Sequence, residues 1–139
     1  MIILLFLLMA AVFTDARSDK IPNRLIITGL FLGLGTCILE EGVIGIPHWI
    51  LRISIPIILF YILFFFGTLG AGDIKLFSVI AGFLTMKEFF TCVTAAFLAA
   101  GVIALGKLIF SHKVKNPHTM HFSVPILAGY LYYCQGVMN

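Results

Sequence analysis

Charged residues are scarce in this sequence. Asp, Glu, Lys and Arg make up 11% of the 139 residues, and hydrophobic residues make up 61%, whereas a typical globular domain is about a quarter charged and half apolar. The shortage of charge excludes a soluble globular domain and indicates an integral membrane protein. A spanning helix needs about 20 residues, so about six spans fit. We therefore expect an all-α membrane protein, a bundle of about six transmembrane helices that forms a single domain over residues 1–139.

Cysteine is also scarce, and no Cys-x-x-Cys pair occurs. The three cysteines are far apart in apolar stretches: Cys37, Cys92 and Cys134. This spacing predicts neither a zinc ribbon nor a disulfide framework, and we interpret the three residues as small buried hydrophobic side chains. No basic patch interleaved with aromatic residues is present, so nucleic-acid binding is not expected.

A short histidine cluster raises the question of a metal site. His118 and His121 are spaced as on one helical turn, and His112 precedes them in the same polar stretch. Lysines lie in that stretch too, which favours a solvated loop at the membrane surface that binds anionic lipid. We expect no metal and no other cofactor.

Polar and glycine-rich connections divide the chain into six apolar stretches. We expect spans at about Met1–Thr14, Arg24–Leu39, Ile50–Phe66, Ile74–Thr85, Phe89–Phe110 and Phe122–Val137. Asn23 is expected to cap the second helix, and Met86-Lys87-Glu88 is expected to form a tight turn. Gly101 and Gly106 are available for close packing of the fifth span, and Trp49 is expected at the membrane interface.

Basic residues are distributed unevenly between the two ends of these spans. If the connections alternate between two sides, one side receives seven of the nine Lys and Arg residues and the other receives Arg52 and Lys87. Since the basic side of a membrane protein faces the cytoplasm, we expect both termini outside. The acids at the cytoplasmic side are then Asp15, Asp19 and Asp73.

Asp73 lies inside the longest apolar run, which extends from about Ile50 to Met86. It belongs to the sequence Gly70-Ala71-Gly72-Asp73-Ile74-Lys75. A charged group near the middle of a hydrocarbon layer costs about 3 kcal/mol on insertion scales, so an ionisable residue there is a candidate functional residue. The two glycines are expected to permit a tight turn and the close approach of another chain. We expect Asp73 to face a wet cavity with a second acid as its partner.

Two carboxyl groups held a few Å apart supply an acid and a base together. They cannot both ionise easily, so the pair shares one proton. The ionised carboxyl takes a proton from a water that attacks a peptide carbonyl, and the protonated carboxyl supplies the proton that the leaving amine needs. Asp15 and Asp73 are the candidate pair for this hydrolysis, and Asp19 is interpreted as a solvated loop acid.

Three motifs, in this order along the chain, resemble those of one family. They are Asp15-x5-Ile21-Pro22-Asn23, Gly70-x-Gly72-Asp73-x-Lys75-Leu76 and Phe122-Ser123-Val124-Pro125-Ile126. Together they are similar to the type IV prepilin peptidase family, which belongs to the GxGD intramembrane aspartic proteases. The resemblance implies a catalytic pair, Asp15 and Asp73, facing the cytoplasm.

The resemblance also implies a substrate and a location. Members cleave the short basic leader of type IV prepilins or pilin-like precursors at the cytoplasmic face of the cell membrane. Larger bacterial members carry an N-terminal segment with paired cysteines that is linked to N-methylation. Because this chain opens on an apolar stretch, we expect the short form, without methyltransferase activity.

The remaining motif residues are expected to support the pair. Gly70 and Gly72 would supply turn geometry, and Lys75 would either stabilise the charge of the pair or contact a lipid phosphate. Pro22 restricts the residue before it to extended backbone, and Pro125 is expected to shape the sixth span beside the cavity.

Two other functions stay open on the sequence. A proton-coupled transporter would use Asp73 and Lys75 to line a polar path, and a non-catalytic membrane subunit of a secretion or pilus assembly would need neither. Cleavage of a pilin-like precursor by the purified protein separates the protease from both.

Overall fold

A computed structural model describes residues 2–18, 21–67, 69–110 and 123–138. Within these ranges every regular element is helical, so the predicted all-α class is confirmed. The α-helices are α1 (Ile2–Ser18), α2 (Asn23–Glu41), α3 (Ile46–Phe65), α4 (Ala71–Phe83), α5 (Met86–Phe110) and α6 (Ser123–Met138), and a 3-10 helix, Val43–Gly45, joins α2 to α3. Asp19 and the three histidines of the predicted loop lie outside the described residues.

Three segments are long and apolar enough to cross a membrane: Asn23–Glu41, Val43–Phe65 and Met86–Gly106. The chain is therefore a membrane protein. α1, α4 and α6 are shorter, with 17, 13 and 16 residues. At 1.5 Å per residue α4 measures about 20 Å, against a hydrocarbon layer of about 30 Å.

The short helix α4 is the most enclosed part of the described structure. Every residue from Leu76 to Gly82 is buried, as is Ile74, and α4 packs against α2, α3 and α5. Its Phe77 ring lies 4.8 Å from that of Phe60 on α3 and 6.3 Å from that of Phe97 on α5. A helix that is apolar on all sides is buried on all sides, and this burial fixes the position of the acid at its first turn.

Glycines mark the closest helix contacts. A Cβ on Gly29 of α2 would lie 2.8 Å from Val79 of α4, and a Cβ on Gly129 of α6 would lie 2.6 Å from backbone atoms of α5. A Cβ on Gly101 or Gly106 of α5 would meet no described heavy atom within 4 Å, so neither glycine lies at a helix contact within the described part of the chain. α5 packs tightly, but the glycine at the contact belongs to α6.

Polar side chains close the end of the bundle opposite Asp73. Arg52 and Glu41 form an ion pair of 2.7 Å that joins α3 to α2, and the Tyr133 hydroxyl donates to Glu88 Oε1 at 2.6 Å. Glu41 and Glu88 thus lie away from Asp73, as the alternating connections predicted. The three cysteines are free, with Cys37 and Cys92 buried and Cys134 half-buried, in agreement with their predicted packing role.

The structure corrects the turn predicted at this end and shows what the Trp49 side chain contacts. Met86-Lys87-Glu88 is the first turn of α5 and not a separate turn, because the Glu88 carboxylate accepts the Thr85 N–H at 2.8 Å and so caps the helix. Trp49 is 7% exposed and its indole N–H donates to the Gly82 carbonyl at 3.1 Å. Its side chain therefore joins α3 to α4 inside the protein.

Candidate active site

Asp15 continues the buried face of α1. Leu4, Leu8 and Ala11 precede it on that face, and Asp15 itself is only 8% exposed. The Ser123 hydroxyl, at the first residue of α6, donates to Asp15 Oδ2 at 2.5 Å. A buried carboxyl needs hydrogen bonds to offset its desolvation, and this one has a partner from the far end of the sequence. Asp15 is therefore an internal acid, not a polar residue at a helix end exposed to water.

Asp73 occupies the third position of α4 and is half-buried. Its Oδ2 accepts the Gly70 N–H at 3.3 Å, which is the carboxylate half of a capping box. Gly70 has no side chain, so the reciprocal half is missing. Anionic groups are stabilised at a helix N-terminus, and the structure therefore gives Asp73 a site suited to an ionised carboxylate.

The tight turn before Asp73 is made by a glycine that the sequence analysis did not select. Gly67 has φ +69° and ends α3 in the left-handed region that favours glycine. Gly70 has φ −76° and ψ 149°, which any residue can adopt, and Gly72 has no positive φ. The turn therefore does not need the left-handed freedom of glycine at Gly70 or Gly72, although the Gly70 carbonyl accepts the Asp73 N–H at 3.1 Å. A Cβ on Gly70 would lie 3.0 Å from Asp73 Oδ2, so its role is steric.

The connection between α1 and α2 lies against the start of α4. A Cβ on Gly72 would be 3.5 Å from the Ile21 side chain, and Lys75 Nζ donates to Asn23 Oδ1 at 3.0 Å. Asn23 is not the N-cap that the sequence predicted. Pro22 caps α2 with its carbonyl, which accepts the Leu25 N–H at 3.0 Å, and this leaves the Asn23 amide to bind Lys75.

Hydrogen bonds join four helix ends in two pairs, the end of α1 with the start of α6 and the start of α2 with the start of α4. The end of α1 carries Asp15, the start of α6 carries Ser123 and the buried Pro125, the start of α2 carries Asn23, and the start of α4 carries Asp73. Among the described residues, no group of three His, Cys, Asp or Glu side chains could hold a metal ion.

A comparison with protein families shows to which family the chain belongs. The model of the type IV leader peptidase family matches residues 2–105, which is most of the chain. The chain belongs to the type IV leader peptidase family. The predicted resemblance is confirmed, and the protein is a membrane protease that acts on a peptide precursor. No curated protein and no solved structure matched the chain.

The family match covers only part of the candidate site of this type IV leader peptidase. The matched residues include Asp15 and Asp73 and end before α6. Ser123 therefore lies outside them, and although it belongs to the third sequence motif, no individual role was predicted for it. One signal points to it: Ser123, Ile126 and Tyr130 are all buried at the three- and four-residue spacing of one helix face, so a hydroxyl there faces the interior.

Proposed function

We propose that this leader peptidase is an aspartic endopeptidase with Asp15 and Asp73 as its catalytic pair. It removes the short basic leader from type IV prepilins or pilin-like precursors. The observation that carries the proposal is that Asp15 is buried on the apolar face of α1, with Ile21, six positions later, lying against Gly72 beside Asp73.

Burial supports a catalytic role for Asp15. An apolar residue would continue the face formed by Leu4, Leu8 and Ala11 at less cost, because a carboxyl loses its hydration when it is buried. Ionisable residues inside membrane segments are costly and mark functional sites. A hydroxyl partner offsets part of the desolvation cost and holds the Asp15 carboxyl at a defined place.

Contacts between the segments that carry the two acids support their pairing. Ile21, six positions after Asp15, lies against Gly72, the residue before Asp73. The Lys75–Asn23 hydrogen bond ties the same two segments. The end of α1 and the start of α4 are therefore joined through the connection that follows α1.

The chemistry needs one proton shared by the two carboxyls. The ionised carboxyl accepts a proton from a water molecule as the water oxygen attacks the peptide carbon, and the protonated carboxyl donates to the carbonyl oxygen. Collapse of the resulting diol breaks the C–N bond as one carboxyl delivers a proton to the amine and the other takes a proton from a diol hydroxyl. The N-terminus of α4 stabilises negative charge on Asp73. The proton is nevertheless shared, so it is assigned to the pair of carboxyls and not to one of them.

The distribution of basic residues supports a cytoplasmic site in the cell membrane. Arg17, Arg24 and Lys75 are exposed at the end that carries the two acids, whereas Arg52 and Lys87 lie on helices that start at the other end. Basic residues favour the cytoplasmic side, where newly made precursors present their leaders. Both termini are then outside, and the bordering lipid is available to the exposed cations.

Cleavage of a synthetic pilin-like precursor by the purified protein in detergent tests the proposal. Asp15→Asn and Asp73→Asn should each abolish cleavage, at least a thousandfold, because neither amide can accept or donate the transferred proton. Asp19→Asn and Glu40→Gln are the matched controls and should keep wild-type rates.

Each other outcome contradicts a stated part of the proposal. Full cleavage by Asp15→Asn or Asp73→Asn would exclude that residue from the pair. Loss of cleavage in Asp19→Asn but not in Asp15→Asn would transfer the role to Asp19. A precursor left intact by the wild-type protein would exclude this substrate class and favour the transporter or the non-catalytic subunit.

A further inference from the structure

We propose that Ser123 is a positioning residue, whose hydroxyl holds the Asp15 carboxyl in the orientation that peptide hydrolysis requires. The inference rests on the proposed function. Ser123 is 1% exposed, its Oγ lies 2.5 Å from Asp15 Oδ2, and the two residues are 108 positions apart in the sequence. A contact of this length between an alcohol and a carboxylate is typical of a strong hydrogen bond.

Packing fixes both partners of this hydrogen bond. Asp15 follows Ala11 on the buried face of α1, and Ser123 precedes Ile126 on the buried face of α6, with Ala11 and Ile126 both fully buried. The helices themselves are in contact. The hydrogen bond therefore continues the apolar contact between α1 and α6 with one polar pair at its end.

α6 is itself held in place by α5. Gly129 lies so close to α5 that a Cβ there would be 2.6 Å from the Cys92 carbonyl oxygen and from the Ala96 nitrogen. Without a side chain between them, the two helix backbones fix the distance from α5 to α6. Ser123 thus reaches Asp15 from a helix whose position is set elsewhere in the bundle.

A defined orientation matters because the carboxyl group of aspartate rotates easily. Its terminal torsion is broad and roughly two-fold, so packing alone does not decide which oxygen faces the substrate. A hydrogen bond to one oxygen limits that rotation. Misplacement of a reacting group by about 1 Å can cost a hundredfold in rate, and loss of the hydroxyl removes only one restraint, so we expect an intermediate effect.

The test compares two buried serines. Ser123→Ala should lower kcat about tenfold with KM changed by less than twofold, because the hydroxyl acts on Asp15 and not on the bound substrate. Ser78→Ala is the matched control. Ser78 is also buried, at 4% exposed, but its hydroxyl bonds the Ile74 carbonyl of its own helix at 3.1 Å, so kcat should stay within twofold. Ser123→Thr keeps the hydroxyl and should recover most of the lost kcat.

Each result then decides the proposal. An unchanged kcat in Ser123→Ala overturns it, and so does an equal loss of kcat in Ser123→Ala and Ser123→Thr when both proteins melt at the wild-type temperature. If Ser123→Thr melts at a lower temperature, the loss in Ser123→Ala decides, measured against Ser78→Ala at equal folded fraction. If Asp15→Asn is inactive and Ser123→Ala is fully active, only this inference fails. Full activity of Asp15→Asn would reject the proposed function as well.

Discussion

The contact at Gly129 yields the sharpest stability prediction. An ideal Cβ on this residue would lie 2.6 Å from two backbone atoms of α5, the Cys92 oxygen and the Ala96 nitrogen. Real Cβ atoms essentially never lie closer than 3.0 Å to another heavy atom, so Gly129→Ala requires the backbones of α5 and α6 to move apart. A helix backbone cannot move aside as a flexible side chain can. The clash therefore weakens the packing along the whole contact between α5 and α6.

Two opposing terms set the magnitude. Overpacking of a well-packed interior costs about 1–3 kcal/mol, and replacement of a helical glycine by alanine gains up to about 1 kcal/mol. We expect Gly129→Ala to lower the free energy of unfolding by about 1–2 kcal/mol. Gly136→Ala, seven residues later on α6, is the matched control, because a Cβ there meets no described heavy atom within 4 Å. It keeps the propensity gain without the clash.

Thermal unfolding of the two variants in one detergent measures the difference. For a chain of this size about 1 kcal/mol corresponds to roughly 3–4 °C in Tm, so Gly129→Ala should melt roughly 3–10 °C below Gly136→Ala. If Gly129→Ala melts at or above the temperature of Gly136→Ala, the close contact of α5 and α6 is wrong. The positioning of Ser123 by α5 would then fail with it.

Two further predictions concern the opposite ends of the protein. Gly70→Ala should reduce precursor cleavage at least tenfold, because its Cβ would lie 3.0 Å from Asp73 Oδ2, and equal cleavage by Gly70→Ala and wild type would refute the steric role. Gly72→Ala should leave Tm unchanged, since its Cβ would make an ordinary contact at 3.5 Å. Arg52→Gln breaks the ion pair with Glu41, in which the Arg52 and Glu41 side chains are 17% and 44% exposed. The free energy of unfolding should change by less than about 1 kcal/mol. A Tm loss above roughly 5 °C would show that this pair stabilises the protein more than an exposed ion pair does.

The class of the fold and one end of the site follow from composition and charge. A chain that crosses lipid must satisfy its backbone in helices or in a closed barrel, and continuous apolar stretches approaching helix length favour helices, so the all-α structure was predictable. Asp73 was predictable because an acid is costly in an apolar stretch. The separation of Glu41 and Glu88 from Asp73 followed from counting connections, since each helix reverses the direction of the chain.

Long-range partners and helix rotation were not predictable in the same way. α5 is apolar on all sides, so its sequence does not indicate which face meets α6. A Cβ on Gly101 or Gly106 would meet none of the described heavy atoms within 4 Å, so these small residues do not mark that face. Likewise, several glycines stand between α3 and α4, and which of them takes a positive φ depends on the residue at which α3 ends. Gly67 has that position, and only the structure locates it.

Different parts of the chain hold the two acids, so a substitution can disturb one acid without disturbing the other. Asp73 depends on the cap of its own helix and on the connection that places Ile21 against Gly72. Asp15 depends on α6 through Ser123, outside the residues that the family model matches. A change that loosens α6 therefore acts first on Asp15, and a change at the start of α4 acts first on Asp73. Because the proposed mechanism shares one proton between both carboxyls, we expect either change to lower the rate of hydrolysis even when the other acid is undisturbed.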